Sequence, residues 1–284
     1  MIVAEKLTRI YGAIRAVDNL DLEVYPEEVF GFLGPNGAGK TTTIRILTTL
    51  TKPTSGQARI NDFDVAKESH KVKEVIGVVQ QTMSLDRELT VQENMELHAR
   101  LHHLAPYERK QRIAELLDYV ELTDQAGRLV ENLSGGMKRR LMISRALLHH
   151  PKVLFLDEPT VGLDAQTRRR LWELIRHMNR NGATVFLTTH YIEEAEALCD
   201  RVGIIDHGQL IALGKPAKLC RRLGLVTVET YRNNEHTHYH HFPDRTAATD
   251  YIQSLSQDDE AIIVRDTNLE DVFVKLTGRK VVDE

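Results

Sequence analysis

GFLGPNGAGKTTT, the stretch from Gly31 to Thr43, decides the fold. An extended, mainly apolar run from Glu28 to Leu33 leads into it, and the segment Thr42 to Leu50 has helical patterning. The glycines, lysine and threonine of the stretch match the spacing G-x-x-x-x-G-K-[ST] of a P-loop, which joins a strand to a helix. The sequence therefore predicts a phosphate-binding loop in an α/β fold.

The residue types of this loop suit phosphate binding. Gly34, Gly37 and Gly39 allow tight backbone turns, so that successive N–H groups line a nest for phosphate oxygens. The N-terminus of the following helix adds partial positive charge. Lys40 is expected to reach the β- and γ-phosphates, and the Thr41 hydroxyl to bind magnesium. The alternative, a glycine-rich turn that binds nothing, leaves the Lys-Thr pair unexplained.

Length and composition limit the number of domains and the class of protein. The 284 residues, 42% of them hydrophobic, suffice for one large domain with a smaller appendage or for two domains. The formal net charge of -4 gives no electrostatic argument for nucleic acid. Because no apolar run is as long as a membrane span or a signal-peptide core, we expect a cytoplasmic protein without direct membrane insertion. Cys199 and Cys220 are predicted to be packing residues.

Two carboxylates follow a second buried strand. Val153 to Leu156 is a continuous apolar run, typical of a parallel strand covered on both faces, and it leads into Asp157 and Glu158. Open α/β sheets place their chemistry at the carboxyl ends of strands. One carboxylate can hold magnesium through water, and the other can polarise an attacking water.

Three more candidate side chains stand at strand ends or turns. Gln81 follows the predicted strand Ile76–Val79, where its carbonyl oxygen can bind magnesium or water, although such a glutamine is more often a surface residue. His190 follows the buried strand Ala183–Leu187. Tyr11 stands beside a glycine in a turn and can stack on adenine or anchor the core.

A second glycine-flanked helix start occurs at Ser134, Gly135 and Gly136. Ser134 is a predicted N-cap, and the helix start can form a second anion site or be a capped helix only. The helix that follows carries a stripe at helical spacing, formed by Met137, Leu141, Ser144 and Leu148.

Taken in order, these motifs resemble those of the nucleotide-binding domain of ABC transporters, over about Met1 to Leu219. GPNGAGKT resembles Walker A, VLFLDE resembles Walker B and LSGGM resembles the ABC signature. Gln81 matches the Q-loop glutamine, His190 the switch histidine and Asp164 the D-loop. Tyr11 matches the aromatic residue that stacks on adenine.

The resemblance implies a fold. We expect an α/β P-loop NTPase of the ABC cassette class over residues 1–224, with a RecA-like core, an antiparallel β subdomain and a helical subdomain at about 86–150. Beyond it, strand patterns at Leu225–Tyr231 and Ala261–Arg265 and a helical pattern at Leu269–Gly278 predict a small C-terminal α+β extension over 225–284.

The resemblance also implies site roles, with ATP as the nucleotide and magnesium as the cofactor. The catalytic residues would be Glu158 as general base, His190 as γ-phosphate sensor and Gln81 as the link to the membrane subunit. Magnesium would lie among Thr41, Gln81 and Asp157. Two cassettes would pair head to tail, so that the signature of one closes on the ATP of the other. The nucleotide contacts would be Tyr11, Gly34, Pro35, Asn36, Gly37, Ala38, Gly39, Lys40, Thr41, Thr42, Ser134, Gly135, Gly136 and Asp164.

Two features resemble the exporter branch of the family. The signature ends in Met137, where glutamine is common, but the Ser134 hydroxyl and the nearby backbone N–H groups survive that change. The closing NLEDVFVKLTGR resembles the tails of cassettes that export drugs, lipids and polysaccharides.

The resemblance implies partners as well. The chain would work at the cytoplasmic face of the cell membrane, docked on a separate integral-membrane permease, with a copy of itself or a sister subunit as second cassette. No nucleic acid is expected. An importer ATPase is the near alternative. A soluble ABC ATPase of translation or DNA repair is a further one, although the single P-loop and the lack of a heptad run argue against it.

Two other patterns invite a functional interpretation. Four histidines near residue 240 are expected to alternate on one strand face, where they can bind zinc or face solvent, and no Cys or Asp pattern supports zinc. The basic runs 138–140 and 168–170 are predicted to be solvated helix faces rather than nucleic-acid contacts. The histidines are His236, His238, His240 and His241.

Overall fold

The computed structural model describes residues 1–231, 237–255 and 261–278. These residues form three β-sheets with helices packed around them. The strands are β1 (Ile2–Tyr11), β2 (Ile14–Val24), β3 (Val29–Leu33), β4 (Ser55–Ile60), β5 (Phe63–Asp64), β6 (Ile76–Val79), β7 (Val153–Asp157), β8 (Thr184–Thr189), β9 (Arg201–Asp206), β10 (Gln209–Gly214), β11 (Val226–Tyr231), β12 (His238–Phe242) and β13 (Ala261–Asp266). The helices are α1 (Lys40–Leu47), α2 (Ser69–Val75), α3 (Val91–Leu101), α4 (Pro106–Tyr119), α5 (Gly135–Ala146), α6 (Ala165–Arg180), α7 (Ile192–Leu198), α8 (Pro216–Leu223), α9 (Arg245–Ser254) and α10 (Leu269–Thr277).

The central sheet has the strand order β10-β9-β3-β8-β7-β6. Its strands are parallel except β10, which pairs antiparallel with β9. Every residue of β3, β7 and β8 is buried, as expected of apolar strands covered on both faces. The carboxyl ends of the parallel strands lie at one edge of the sheet, where the P-loop, Gln81, Glu158 and His190 follow.

The second sheet is antiparallel, with the order β2-β1-β4-β5. Its apolar residues share one buried cluster with phenylalanines of the central sheet, in which the Phe186 ring lies 5.5 Å from the rings of Phe30 and Phe155. It is tied to the P-loop through Gly208, which accepts a hydrogen bond from the Asp18 N–H and donates one to the Ala38 carbonyl. The antiparallel sheet therefore braces the loop that follows β3.

The helices α3, α4 and α5 pack on one another and on the other side of the central sheet. Helix α3 begins with a capping box in which Thr90 and Glu93 each bond the backbone N–H of the other. Helix α4 has Pro106 in its first turn, where the fixed φ of proline suits the start of a helix. Their apolar faces meet in the core at Met95, Leu117 and Leu141. All three helices fall within 86–150, and the subdomain boundary itself stays a prediction.

The C-terminal residues form the third sheet, in the order β12-β11-β13, together with α9 and α10. The predicted strands and the final helix are confirmed to within one residue, and Gly278 ends α10 in a left-handed conformation with φ 74. Helix α10 packs against α7 and α8, and its buried Leu269 and Phe273 belong to the same apolar cluster as the helical region. The extension thus shares the main core, and its boundary at residue 225 stays a prediction.

Two sequence-based expectations are wrong in detail, and one strand was not anticipated. Helix α1 begins at Lys40 and ends at Leu47, whereas helical patterning extends from Thr42 to Leu50, because Thr49 has a positive φ of 64. The turn at 206–208 joins a hairpin whose second strand, β10, was not expected. On β12, His238 and His240 share one face, whereas His241 points to the other and contacts Thr227. His236 lies outside the described residues.

Two features of the described residues concern membrane spans and metal sites. None of the helices in these ranges combines the length and apolar character needed to cross a membrane. No group of three or more His, Cys, Asp or Glu side chains in the described part of the chain is arranged to hold a metal ion, and this includes the histidines of β12.

Candidate functional site

The loop between β3 and α1 depends on glycine at two positions. Gly39 has φ 109, and a Cβ atom there would lie 2.4 Å from the Ala16 carbonyl oxygen. A Cβ on Gly34 would lie 2.3 Å from the Ile205 carbonyl oxygen. Backbone from β2 and β9 therefore presses on the loop, so only glycine fits where the chain turns into α1.

Lys40 is the first residue of α1, and its side chain is only 4% exposed. Its ammonium Nζ donates to the carbonyl oxygens of Gly34, at 2.8 Å, and Pro35, at 3.0 Å. It also lies 3.2 Å from Glu158 Oε1. Burial lowers the pKa of Lys40, and the neighbouring Glu158 carboxylate acts against that shift. The loop thus encloses a buried cation that faces a carboxylate.

Glu158 is the point on which the site converges. It is buried at the end of β7, with a positive φ of 46 that is uncommon for a residue with a side chain. Gln81 Nε2 donates to Glu158 Oε2 at 3.0 Å, and His190 Nδ1 lies 3.3 Å from Glu158 Oε1. Burial raises the pKa of Glu158, but the neighbouring His190 imidazole and the charge of Lys40 outweigh it, so the net shift is downward.

Asp157, the residue before Glu158, is in a different environment. The Thr188 hydroxyl donates to Asp157 Oδ1 at 2.6 Å, and the Thr41 hydroxyl also lowers the pKa of this carboxyl group. Burial is the larger effect and raises the pKa of Asp157. Two adjacent carboxyl groups therefore have pKa values shifted in opposite directions, as expected where they serve different roles.

A cavity of about 170 Å³ opens at this edge of the sheet. Residues of the loop and of the start of α1 line it together with Glu158 and Gln81. Ala16 of β2 also lines it, a contact that no sequence motif indicated, because it arises from the packing of the antiparallel sheet on the loop. The lining residues are Ala16, Asn36, Gly37, Gly39, Lys40, Thr41, Thr42, Gln81 and Glu158.

The remaining predicted site residues do not line this cavity. Ser134 caps α5, since its hydroxyl accepts a hydrogen bond from the Met137 N–H at 3.2 Å. Asp164 caps α6 by accepting from the N–H and the hydroxyl of Thr167. A Cβ on Gly136 would lie 2.5 Å from the Thr167 methyl carbon, so the start of α5 packs on the start of α6.

Tyr11, the predicted adenine-stacking residue, stands at the end of β1. Its ring is exposed, and the guanidinium of Arg9 lies 4.4 Å from the ring centroid. Arg9 therefore covers one face of the ring, and the role of Tyr11 toward adenine stays a prediction.

Arg139 contradicts the prediction of a solvated helix face at 138–140. Its side chain is 3% exposed, and its guanidinium donates to the carbonyl oxygens of Gln80, at 2.8 Å, and Gln81, at 3.2 Å. One signal existed, because Arg139 stands three and four residues before the apolar Met142 and Ile143 and so shares their buried face. In the run 168–170, Arg168 is also not free in solvent, since it lies 4.7 Å from the Tyr191 ring centroid.

With this geometry established, comparison with known proteins decides the family. A model of the ABC transporter family matches residues 17–161, which include the P-loop, Gln81, the Ser134 helix start and both carboxylates. The chain belongs to the ABC transporter family. It is an ATP-binding subunit that hydrolyses ATP, and its cassette fold is that of the P-loop NTPases.

The relatives of this ABC subunit cover most of its length. It is 44% identical over 228 residues to the linearmycin resistance ATP-binding protein LnrL of Bacillus subtilis (strain 168), covering 80% of this chain and 73% of that protein. It is 38% identical over 298 residues to the Nod factor export ATP-binding protein I of Cupriavidus metallidurans, covering 97% and 96%. Among solved structures, the ATP-binding cassette MJ0796, a dimer in a post-hydrolysis state bound to ADP and Pi, superimposes with a TM-score of 0.69 at 30% identity, covering 76% of this chain and 98% of that one.

Proposed function

We propose that this ABC subunit powers export of a substrate through a separate integral-membrane permease, from the cytoplasmic face of the cell membrane. The observation that carries the ATP-driven step is the convergence of Lys40, Gln81 and His190 on the Glu158 carboxylate. The direction of transport is supported by the LSGGM signature, by the C-terminal tail and by relatives that are named for resistance and export.

Each residue around Glu158 has a role that its contacts support. The loop N–H groups and Lys40 bind the phosphates of ATP at the start of α1. Glu158, whose lowered pKa keeps it ionised at neutral pH, accepts a proton from the attacking water. His190 contacts the γ-phosphate, and Gln81 orients the water and the base. Because Lys40 and His190 both face Glu158, arrival of a phosphate changes the partners of all three side chains.

Magnesium fits the side chains at this site. The Thr41 hydroxyl and the Asp157 carboxylate interact with each other and would both bind the ion, and the amide carbonyl oxygen of Gln81 would be a third hard ligand. When bound, the ion supplies charge that stabilises the phosphate oxygens. We assign it to Thr41, Gln81 and Asp157.

A single cassette does not complete the site. Ser134, Gly135 and Asp164 are exposed and lie away from the cavity of their own chain. The N-terminus of α5 nevertheless offers backbone N–H groups suited to an anion. A second cassette, either a copy of this chain or a sister subunit, therefore brings its Ser134 helix start to this ATP, and Asp164 contacts across the same interface.

The permease would dock on the helical region beside the Q-loop. Leu97 and Leu101 lie one helical turn apart on α3 and are 42% and 62% exposed, and Met83 is an exposed apolar residue just after Gln81. Arg145 of α5 donates to Ser84, which ties this loop to the helices. Because this loop is held to the helices, its exposed apolar side chain and those of α3 offer one surface for the cytoplasmic helices of a membrane partner.

Co-purification from native membranes tests this proposal. The Glu158→Gln chain, solubilised in detergent with ATP, is expected to retain a stoichiometric multi-span protein. Adding Leu101→Glu to this chain should abolish that retention, whereas Leu101→Glu alone should leave the ATP turnover of the free chain unchanged. Leu276→Glu, a change at a residue 50% exposed on α10, is the matched control and should keep the partner. Retention of soluble partners alone would contradict the transporter role, and an associated substrate-binding protein would indicate import instead.

A further inference from the structure

A buried arginine links the helical region to the hydrolytic site. Arg139 lies in the second turn of α5, the helix that Ser134 caps. Its guanidinium reaches out of the helical region to the segment after β6, where it donates to two consecutive backbone carbonyls, those of Gln80 and Gln81. The same helix holds this segment a second time, through the hydrogen bonds from Arg145 to Ser84.

The environment of Arg139 is unfavourable for a residue that only fills space. Burial of a guanidinium is costly unless its donors are paired, and Arg139 Nε is buried without a hydrogen-bond partner among the described residues. Burial lowers the pKa of Arg139, and the carboxylates of Asp157 and Glu194 act against that shift. An apolar side chain would pack here at less cost, so the contacts to the two carbonyls are what the arginine adds.

One of those contacts is to Gln81, the residue whose side chain reaches Glu158. The backbone carbonyl of Gln81 accepts from Arg139 at 3.2 Å, while the side chain of the same residue donates to Glu158 at 3.0 Å. A planar guanidinium that binds two successive carbonyls restrains both the position and the rotation of this backbone. The Gln81 amide is thereby held toward Glu158.

We propose that Arg139 is a positioning residue for ATP hydrolysis, which holds Gln81 against Glu158 and so makes turnover depend on the placement of α5. This inference rests on the roles proposed above for Gln81 and Glu158. Since Ser134 starts the same helix, a partner nucleotide that moves the start of α5 also moves Arg139. The signature of one site is in this way connected to the Q-loop of the other site in the dimer.

The test is steady-state ATPase activity of the full-length chain. Arg139→Met keeps the length and apolar stem of the side chain, and we expect kcat to fall about 10-fold while KM changes less than about 2-fold. Arg139→Lys keeps the positive charge but lacks the planar guanidinium that can bind two carbonyls, so kcat should fall to a similar degree. This second variant keeps the inference testable if Arg139→Met does not fold. Arg140→Met is the matched control with unchanged kcat, because Arg140 donates instead to Val120 and Glu121.

A double-mutant cycle separates positioning from a general structural effect. In a Gln81→Ala background, Arg139→Met is expected to lower kcat by no more than about 2-fold further, because its route of action is already lost. Additive losses in the double variant, or a kcat unchanged in both Arg139 variants, would overturn the inference. If Gln81→Ala itself leaves kcat unchanged, the proposed role of Gln81 fails first.

Discussion

Lys40 Nζ and Glu158 Oε1 lie 3.2 Å apart, so the lysine expected to hold the phosphates of ATP is paired with the carboxylate expected to activate water. Both side chains are buried, which strengthens the attraction relative to an exposed pair. In the proposed mechanism, phosphate binding replaces this contact and frees Glu158 for its role as a base. That mechanism therefore links substrate binding to activation of the base through one ion pair.

Glu158→Gln should separate ATP binding from hydrolysis. We expect turnover to fall roughly 10²- to 10⁴-fold because the base is lost. We expect the Kd for ATP to decrease, since Lys40 no longer has a competing carboxylate. Phosphate release and isothermal titration measure the two effects. Glu158→Asp, which keeps the charge, is the control for affinity, and full turnover by the glutamine variant would rule out Glu158 as the base.

Gly39→Ala should damage the P-loop more than Gly37→Ala. Both positions have positive φ, 109 and 78, but only at Gly39 would the new Cβ meet backbone, the Ala16 carbonyl oxygen. We expect Gly37→Ala to cost about 1 kcal/mol of unfolding free energy. Gly39→Ala should cost more than about 2 kcal/mol and weaken ATP binding at least about 10-fold. Urea unfolding and nucleotide titration measure both, and equal effects at the two positions would contradict the importance of the Ala16 contact.

Ser134→Ala should affect both stability and turnover. Its hydroxyl caps α5, and loss of such a cap costs about 1 kcal/mol of unfolding free energy. Asp244→Ala, which removes the cap of α9 in the C-terminal region, is expected to cost a similar amount and is the matched control. Only Ser134→Ala should also lower ATP turnover, by about 10-fold, because only α5 faces the partner nucleotide in the proposed dimer. Equal ATPase activity in the two variants would show that the cap has no part in the composite site.

Stability should fall as the pH drops from 6.5 toward about 4. Burial lowers the pKa of both His98 and His102 from 6.5 to about 4, and the charges of Arg145 near His98 and of His149, stacked on His102 at 3.9 Å, act in the same direction. In this window the unfolded chain takes up protons that the folded chain does not, so unfolding becomes easier.

Urea midpoints across this pH window test the histidine effect. His102→Asn is expected to lose less stability on acidification than the wild type does, since one of the two imidazoles with a lowered pKa is gone. His70→Asn, a change at an exposed histidine, is the control and should follow the wild type. A His102→Asn midpoint that falls as steeply as that of the wild type would contradict this explanation.

The motifs with short spacing were predicted from sequence because their physics is local. The P-loop glycines and Lys40, the carboxylates after β7 and the Ser134 cap each depend on residues a few positions away. That β7 is a parallel strand covered on both faces was also predicted, since Val153 to Leu156 is a continuous apolar run. Gln81, Glu158 and His190 do meet at one sheet edge, as the resemblance implied.

Tertiary packing decided what the sequence pattern could not. That Arg139 is buried against Gln80 and Gln81, that Ala16 lines the cavity and that α10 joins the main core all depend on contacts between segments far apart in the chain. The sequence by itself determined the chemistry, because a phosphate loop, a base and a cap are set by residue type and near spacing. Only the three-dimensional packing decided which of these groups restrain one another, because burial and pairing of charges depend on the whole chain.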